Sequence, residues 1–214
     1  MMAEKPDPDC ELMALVRIIA AGATDAALAM IDAQPALARA GFVIKGATRQ
    51  QAKAYFLDDI GHYVYAGDTA LHMAAGGYRT AIARRLITRG SDVRARNRLG
   101  AEPLHLAAMG MPGAHHWYPS AQAATIDFLI EAGADPNATD KSGVAALHRA
   151  VRTRCAAAVV ALLAGGADPR RTNRSGSTPM MLAEMTTGRG GSGSAEAKAQ
   201  QQEIVEVLRE ALKD

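Results

Sequence analysis

Two adjacent histidines, a tryptophan and a tyrosine stand between two prolines in the stretch MPGAHHWYPSAQ, residues 111–122. Imidazole rings bind metal ions and transfer protons, whereas clustered aromatic rings anchor protein partners. Zinc needs three or four ligands, and adjacent histidines such as His115 and His116 seldom both reach one ion. A third ligand would have to come from a distant residue such as His62 or Asp58. The incomplete ligand set favours contact with a partner over metal binding.

The other reactive side chains do not form a recognised catalytic set. Cys10 and Cys155 are far apart and outside any Cys-x-x-Cys pattern, and the sequence has no G-x-S-x-G elbow. Asp58 and Asp59 are adjacent, so their side chains would diverge on a helix. The stretch GRGGSG lacks the GxxxxGK(S/T) arrangement of a phosphate-binding loop, and no predicted strand precedes it. We therefore expect a protein that is not an enzyme and that uses no cofactor or metal.

Length, charge and hydropathy restrict the class of protein that carries these residues. The chain of 214 residues can bury a sizeable core, and its two cysteines do not form a disulfide framework. A net charge of +2 gives no general affinity for polyanions. The apolar run LMALVRIIAAGA contains Arg17 and is shorter than the ~20 residues of a membrane span, and the acidic lead before it is unlike a signal peptide. We expect a soluble, cytoplasmic protein.

The sequence repeats itself with a period near 33 residues. Four phrases align, and they are GDTALHMAA from Gly67, GAEPLHLAA from Gly100, GVAALHRAV from Gly143 and GSTPMMLAE from Gly176. A second phrase, such as GADPNATD from Gly133, follows the first in each of the first three units. The spacing between the two phrases is ten residues longer in the unit that begins at Gly100. Those ten residues include the histidine-tryptophan stretch.

Each unit has the sequence signals of two helices and a turn. Thr178 and Pro179 illustrate how the first helix of a unit begins, because a hydroxyl caps the helix and proline suits its first turn. The first helix is rich in alanine, and the second has larger apolar residues at helical spacing, such as Ile82 and Leu86. A glycine such as Gly90 ends the second helix, and a turn rich in Asp and Asn leads to the next unit. Stacked units of this kind would share one continuous core.

The motif, its length and its order closely resemble the ankyrin repeat, most clearly over residues 63–176. Ala70 and Ala146 replace the proline of the motif, and Met181 replaces its histidine in the last unit. The resemblance implies an all-α solenoid of about five helix-turn-helix units with short β-hairpin turns. It also implies a structural role, hydrogen bonding between neighbouring turns, for His72, His105 and His148. Because these histidines recur at the repeat period, they lie about one unit apart and are too distant to share a metal ion.

The units and insertions divide the chain into seven predicted segments. They are a disordered lead (1–10), a degenerate N-terminal capping repeat (11–40), an insertion with an extra helix (41–62), a repeat (63–96), a repeat with the inserted loop 111–120 (97–139), a repeat (140–172), and a C-terminal capping repeat with a Gly/Ser-rich loop at 186–198 (173–214). The extra helix is predicted from a capping box at residues 48–51, followed by Tyr55, Phe56 and Ile60 at helical spacing.

Arginine and lysine residues flank the predicted turns between units. Consecutive turns of a solenoid align, so these residues would form a positive rim that favours an acidic segment of a partner. The alternative is a solvated face without a ligand, since arginine is normally exposed. The residues that we expect to contact a partner are Tyr63, Tyr65, Arg98, His115, His116, Trp117, Tyr118, Lys141, Arg152 and Arg174.

We therefore predict a monomeric protein-protein interaction module, acting as an adaptor, scaffold or inhibitor. Its partner would contact the concave groove, the hairpin tips and the loop 111–120. The alternative is a small-ligand binder or an enzyme with one pocket built from the aromatic residues of the first two insertions, because function belongs to sites rather than folds. Binding of nucleic acid through the arginine rim is the weakest alternative, since few aromatic residues lie near those arginines.

Overall fold

The computed structural model describes residues 8–43, 52–110, 112, 114, 117–185 and 195–213. Ten α-helices lie in this part of the chain: α1 (Pro8–Ala20), α2 (Thr24–Ala33), α3 (Ala70–Gly76), α4 (Thr80–Thr88), α5 (Pro103–Ala107), α6 (Pro119–Glu131), α7 (Ala146–Arg152), α8 (Ala156–Ala164), α9 (Pro179–Glu184) and α10 (Ala195–Ala211). Short 3-10 helices span Pro35–Ala38, Ala52–Tyr55 and Asp58–Ile60, and two strands, β1 (Phe56–Leu57) and β2 (His62–Tyr63), form one small sheet.

The helices form two layers of a solenoid. The odd-numbered helices pack on one another in chain order and make the inner layer, while the even-numbered helices make the outer layer. Leu71, Leu104 and Leu147 occupy the same position of successive inner helices and are almost fully buried. Ile82 and Ile126 are buried in the same way on the outer helices. The core is therefore continuous along the stack, as expected for repeats that bury their apolar faces on neighbouring units.

Side chains of three residues hold the turns between units. Oδ1 of Asn97 accepts hydrogen bonds from the backbone N–H of Leu99 and Ala101, at 2.9 and 3.1 Å. Asp140 and Asn173 accept from the equivalent amides of the next two turns. These asparagine and aspartate turns replace regular strand pairing, and Thr139 with Ala145 forms one isolated bridge. The tips of the solenoid are thus tight turns that place their central residues in solvent.

The predicted extra helix is wrong for the described part of the first insertion, and residues 48–51 lie outside the described residues. Two 3-10 turns and a two-stranded antiparallel hairpin are found instead, with Phe56 opposite Tyr63. Gly61, at φ +61°, lets the chain reverse between the strands. The apolar residues serve different surfaces rather than one helix face, because Leu57 is buried in the core while the Phe56 and Tyr63 rings pack together at 4.6 Å.

The boundaries of two other predicted segments also change. Helix α1 begins at Pro8, inside the predicted lead, and α10 begins at Ala195, inside the predicted Gly/Ser-rich loop. Residues 186–194 of that loop lie outside the described residues. Within the described ranges, no helix is long and apolar enough to cross a membrane.

Candidate partner-binding groove

Three buried histidines join consecutive units of the inner layer. Each accepts a hydrogen bond at Nδ1 from the backbone N–H three residues before it. The donors are Thr69 for His72, Glu102 for His105 and Ala145 for His148, at 3.1, 3.1 and 3.3 Å. Each Nε2 faces a carbonyl oxygen of the next unit, namely Ala101, Val144 and Ser177, at 3.1, 3.1 and 3.3 Å. Neutral rings with the proton on Nε2 satisfy both bonds, so these histidines hold the stack together.

The surroundings keep these rings neutral. Burial lowers the pKa of His72 and of His148 below the ordinary histidine value. For His105, burial followed by the positive charge of Arg149 lowers the pKa to about 4. A second proton would also have no acceptor, because Nδ1 of His105 faces a backbone N–H.

A groove of about 750 Å³ lies along the concave side, where the inner helices end. Its lining includes residues 76–79 at the end of α3, residues 109–110 after α5 and residues 151–154 at the end of α7. Leu182 and Ala183 of α9 complete this wall. The groove therefore spans four successive units, which is the length of surface that an extended segment would need.

Described residues of the first two insertions border this groove. Residues 59–62 of the first insertion line one part of it, and Pro112 and Ala114 of the second line another. Met185, which precedes the third insertion, contributes an apolar side chain that is 51% exposed. The extra residues that distinguish this chain from a regular repeat are thus brought together around one surface.

A second cavity of about 360 Å³ lies nearer the tips of the turns. Tyr63 and Tyr65 line it, together with Arg149 and with Asp140, which accepts a 2.8 Å hydrogen bond from Arg149 Nη2. Arg152 lines both this cavity and the groove, so the two are adjoining parts of the concave face.

Tyr65 is held between charged neighbours. Its backbone N–H donates to Oδ2 of the buried Asp68 at 2.8 Å, and the guanidinium of Arg98 lies 4.9 Å from its ring centroid. Cation-π contacts of this kind align the two side chains. Tyr63, on β2, is 38% exposed. Tyr63 and Tyr65, which directly follow the first insertion, therefore both line the second cavity.

Trp117 does not have the exposed position that an anchor for a partner requires. The indole is 8% exposed, and its Nε1–H donates to Oε1 of Gln122 at 2.9 Å. Gln122, itself fully buried, donates from Nε2 to the carbonyl oxygens of Ala107 and Met109. The tryptophan thus fastens the insertion onto the end of α5, because a buried N–H needs a partner and Gln122 supplies one. Its expected contact with a partner is contradicted by this burial.

The other aromatic residues of that stretch have different surroundings. Tyr118 is 55% exposed and stands immediately before α6. His115 and His116 lie outside the described residues. Trp117 lines neither cavity, so the pocket that would combine Tyr63, Tyr65 and Trp117 does not form. No group of three potential metal ligands occurs in the part of the chain that the structure describes.

The positive rim is less uniform than the sequence predicted. Arg98, Lys141 and Arg174 are exposed at equivalent places on three successive turns, and the backbone N–H of each bonds to the preceding turn. By contrast, Arg94 pairs with Asp135 at 3.3 Å, and Arg96 lies 3.5 Å from Glu102. The neighbouring arginines therefore have carboxylate partners within the chain.

Arg154 lines the groove beside Arg152, at the end of α7. It is 4% exposed, although arginine is rarely buried without a partner. Its burial depends on how α7 meets the neighbouring units.

The fold is a solenoid of stacked helix pairs. Residues 66–98 and 99–141 each match the family described as ankyrin repeat, and residues 129–183 match the family described as ankyrin repeats (many copies). Together the matched segments cover more than half of the 214 residues. The chain belongs to the ankyrin repeat family. Proteins built from these repeats are generally protein-protein interaction modules and typically are not enzymes. No curated protein matches the chain.

Proposed function

We propose that the protein is a monomeric, cytoplasmic adaptor, scaffold or inhibitor that binds an extended segment of a partner protein in the concave groove. The observation that carries the proposal is the convergence of the first two insertions on one groove of about 750 Å³. Scaffold residues alone would give a regular surface, whereas inserted residues give a surface particular to this chain. Tyr63 and Tyr65 add exposed or half-exposed aromatic area in the adjoining cavity.

The walls of the groove are suited to a protein segment. The half-buried Ile60, Met109 and Leu182 supply apolar surface, and Arg152 supplies an exposed cation. Apolar contact gives affinity while polar margins give orientation, which is the usual anatomy of an interface. We place Arg98, Lys141 and Arg174 on the outer margin, where they would attract an acidic partner from a distance.

The proposal can be tested with a matched pair of polar substitutions. Met185 and Val160 are exposed to similar extents, 51% and 45%, but Met185 lines the groove and Val160 lies on the outer helix α8. Met185→Gln should weaken recovery of native partners about tenfold in quantitative affinity purification, because roughly 1.5 kcal/mol of apolar burial is lost. Val160→Gln should leave recovery unchanged. Equal recovery with both variants would rule out the groove as the binding surface.

A further inference from the structure

Arg154 carries a buried positive charge without a compensating partner. Its Nη1 is shielded from solvent and has no hydrogen-bond partner within the described residues. Arg149 nearby is compensated, since it pairs with Asp140 at 2.8 Å. Arg79 donates to the Ala20 carbonyl oxygen at 3.3 Å, although its Nε also lacks a partner among the described residues. A guanidinium stays charged at any ordinary pH, so it cannot escape the cost of burial by losing a proton.

The backbone at Arg154 is also in a disfavoured conformation. Its φ is +58°, in the left-handed region that a side chain with a Cβ seldom adopts. Tyr78, two units earlier on the same side of the stack, has the same φ. The left-handed conformation therefore recurs at this position of the repeat. The hydroxyl of Tyr78 donates to the Met109 carbonyl oxygen, whereas the buried Nη1 of Arg154 has no such bond within the described residues.

The groove around Arg154 is positive. Among the described residues that line it, Arg79, Arg152 and Arg154 carry guanidinium groups, whereas Asp59 alone carries a carboxylate. Most of the remaining wall near Arg154 is apolar, including Val151 and Ile204. A charged hydrogen bond in such a dry environment is strong, since few water molecules compete for the donor.

We propose that Arg154 binds the carboxylate of an aspartate or glutamate in the partner segment, and that apolar residues flank this acidic residue. The proposal rests on the function proposed above and names the chemistry that the groove selects. Arg154 is the buried guanidinium of this wall, whereas Arg152 is exposed and Arg79 already donates to the Ala20 carbonyl oxygen. One buried guanidinium matches the single charge of a carboxylate, whereas a phosphoryl group carries nearly two charges and three acceptor oxygens.

A selection from a random peptide display library on the purified full chain tests the chemistry directly. Enriched peptides should share one acidic position between apolar positions. In a synthetic copy of an enriched peptide, glutamine in place of the acidic residue should weaken binding about 10- to 100-fold, as expected for a hydrogen bond to a buried charge. This comparison uses the unaltered protein, so it does not depend on whether any variant folds.

Two protein variants complete the test. Arg154→Met should weaken binding of the acidic peptide by a similar factor. It should also raise the melting temperature of the protein, because the unpaired buried charge is removed. Arg209→Met, an exposed arginine on α10, should change neither quantity. If Arg154 were purely structural, its replacement would instead lower the melting temperature. The protein would then still bind the acidic peptide more tightly than the peptide with glutamine.

The possible results separate this proposal from the function on which it rests. Peptides that bind in a Met185-dependent way but lack an acidic residue would overturn the role of Arg154 and leave the groove as the binding surface. Phosphoserine peptides that bind more tightly than their glutamate counterparts would overturn the preference for a carboxylate. Failure to enrich any groove-dependent peptide would overturn both proposals.

Discussion

The indole Nε1–H of Trp117 donates a hydrogen bond to Oε1 of Gln122 at 2.9 Å, beneath the surface of the second insertion. The same amide group donates from Nε2 to the Ala107 carbonyl oxygen at 2.9 Å, so one glutamine links the insertion, α6 and the end of α5. Because of this link, Trp117 packs inside the protein rather than contacting a partner. The exposed Tyr118 next to it is left as the aromatic group that a partner can reach.

Replacement of Trp117 by alanine should therefore destabilise the protein. We expect a loss of about 3 kcal/mol in the free energy of unfolding, since a buried indole and its hydrogen bond are removed together. Tyr118→Ala is the matched control and should change stability by less than about 0.5 kcal/mol, because the ring is exposed. Urea denaturation of the two variants measures the difference. Equal stabilities would contradict the packing role of the indole.

Gly110 should not tolerate a side chain. A Cβ at this position would lie 2.7 Å from Cys155 Sγ and 2.7 Å from Trp117 Nε1. We expect Gly110→Ala to cost about 1 to 3 kcal/mol, as is usual when a packed core is overfilled. Gly76→Ala is a suitable control, because its Cβ would make an ordinary contact with Leu106 at 3.6 Å. Thermal denaturation should show a lower melting temperature for the first variant alone.

Stability should fall as the solution becomes acidic, with a contribution from His105. The pKa of His105 is about 4 in the folded protein, against 6.5 without the fold, so the unfolded chain binds more protons between these values. The stability that comes from the neutral ring is complete above pH 6.5 and is lost as the pH falls to about 4. Linkage gives a loss of about 3 kcal/mol from this residue.

NMR titration of the histidine resonances checks this contribution separately from other groups. The His105 ring should remain neutral until the pH approaches 4, while a model peptide titrates near its ordinary value. Urea denaturation between pH 7 and 4 should then show the accompanying loss of stability. A His105 resonance that titrates near pH 6.5 would contradict the neutral, stack-joining role of this ring.

The two thiols should differ in reactivity. Burial raises the pKa of Cys155 to about 11, and its side chain is fully buried, whereas Cys10 is exposed. Because the thiolate is the reactive form, iodoacetamide should modify Cys10 in the native protein and leave Cys155 unmodified. In denaturant both should react. Mass spectrometry of the proteolytic peptides measures the modification of each cysteine. Rapid modification of Cys155 in the native protein would show that the units around it open.

The repeating scaffold was predictable because it depends on local signals that recur. The phrases around His72, His105 and His148 contain the cap, the short helix and the turn residue of each unit, so their repetition implied the stack. The first insertion was less predictable. Tyr55, Phe56 and Ile60 have helical spacing, but a short apolar run is ambiguous between helix and strand until its packing partners are known.

The sequence by itself determined the family, the period of the stack and the positions of the insertions, because helix caps, apolar spacing and turn residues act within one unit or between adjacent units. Only the tertiary structure decided which inserted residues face outward. Trp117 is buried because Gln122, which accepts its indole N–H, is itself held by the carbonyl oxygens of Ala107 and Met109. Arg154 lines the groove because α7 ends against two neighbouring units. Burial depends on contacts between segments that are distant in sequence, and no local pattern encodes them.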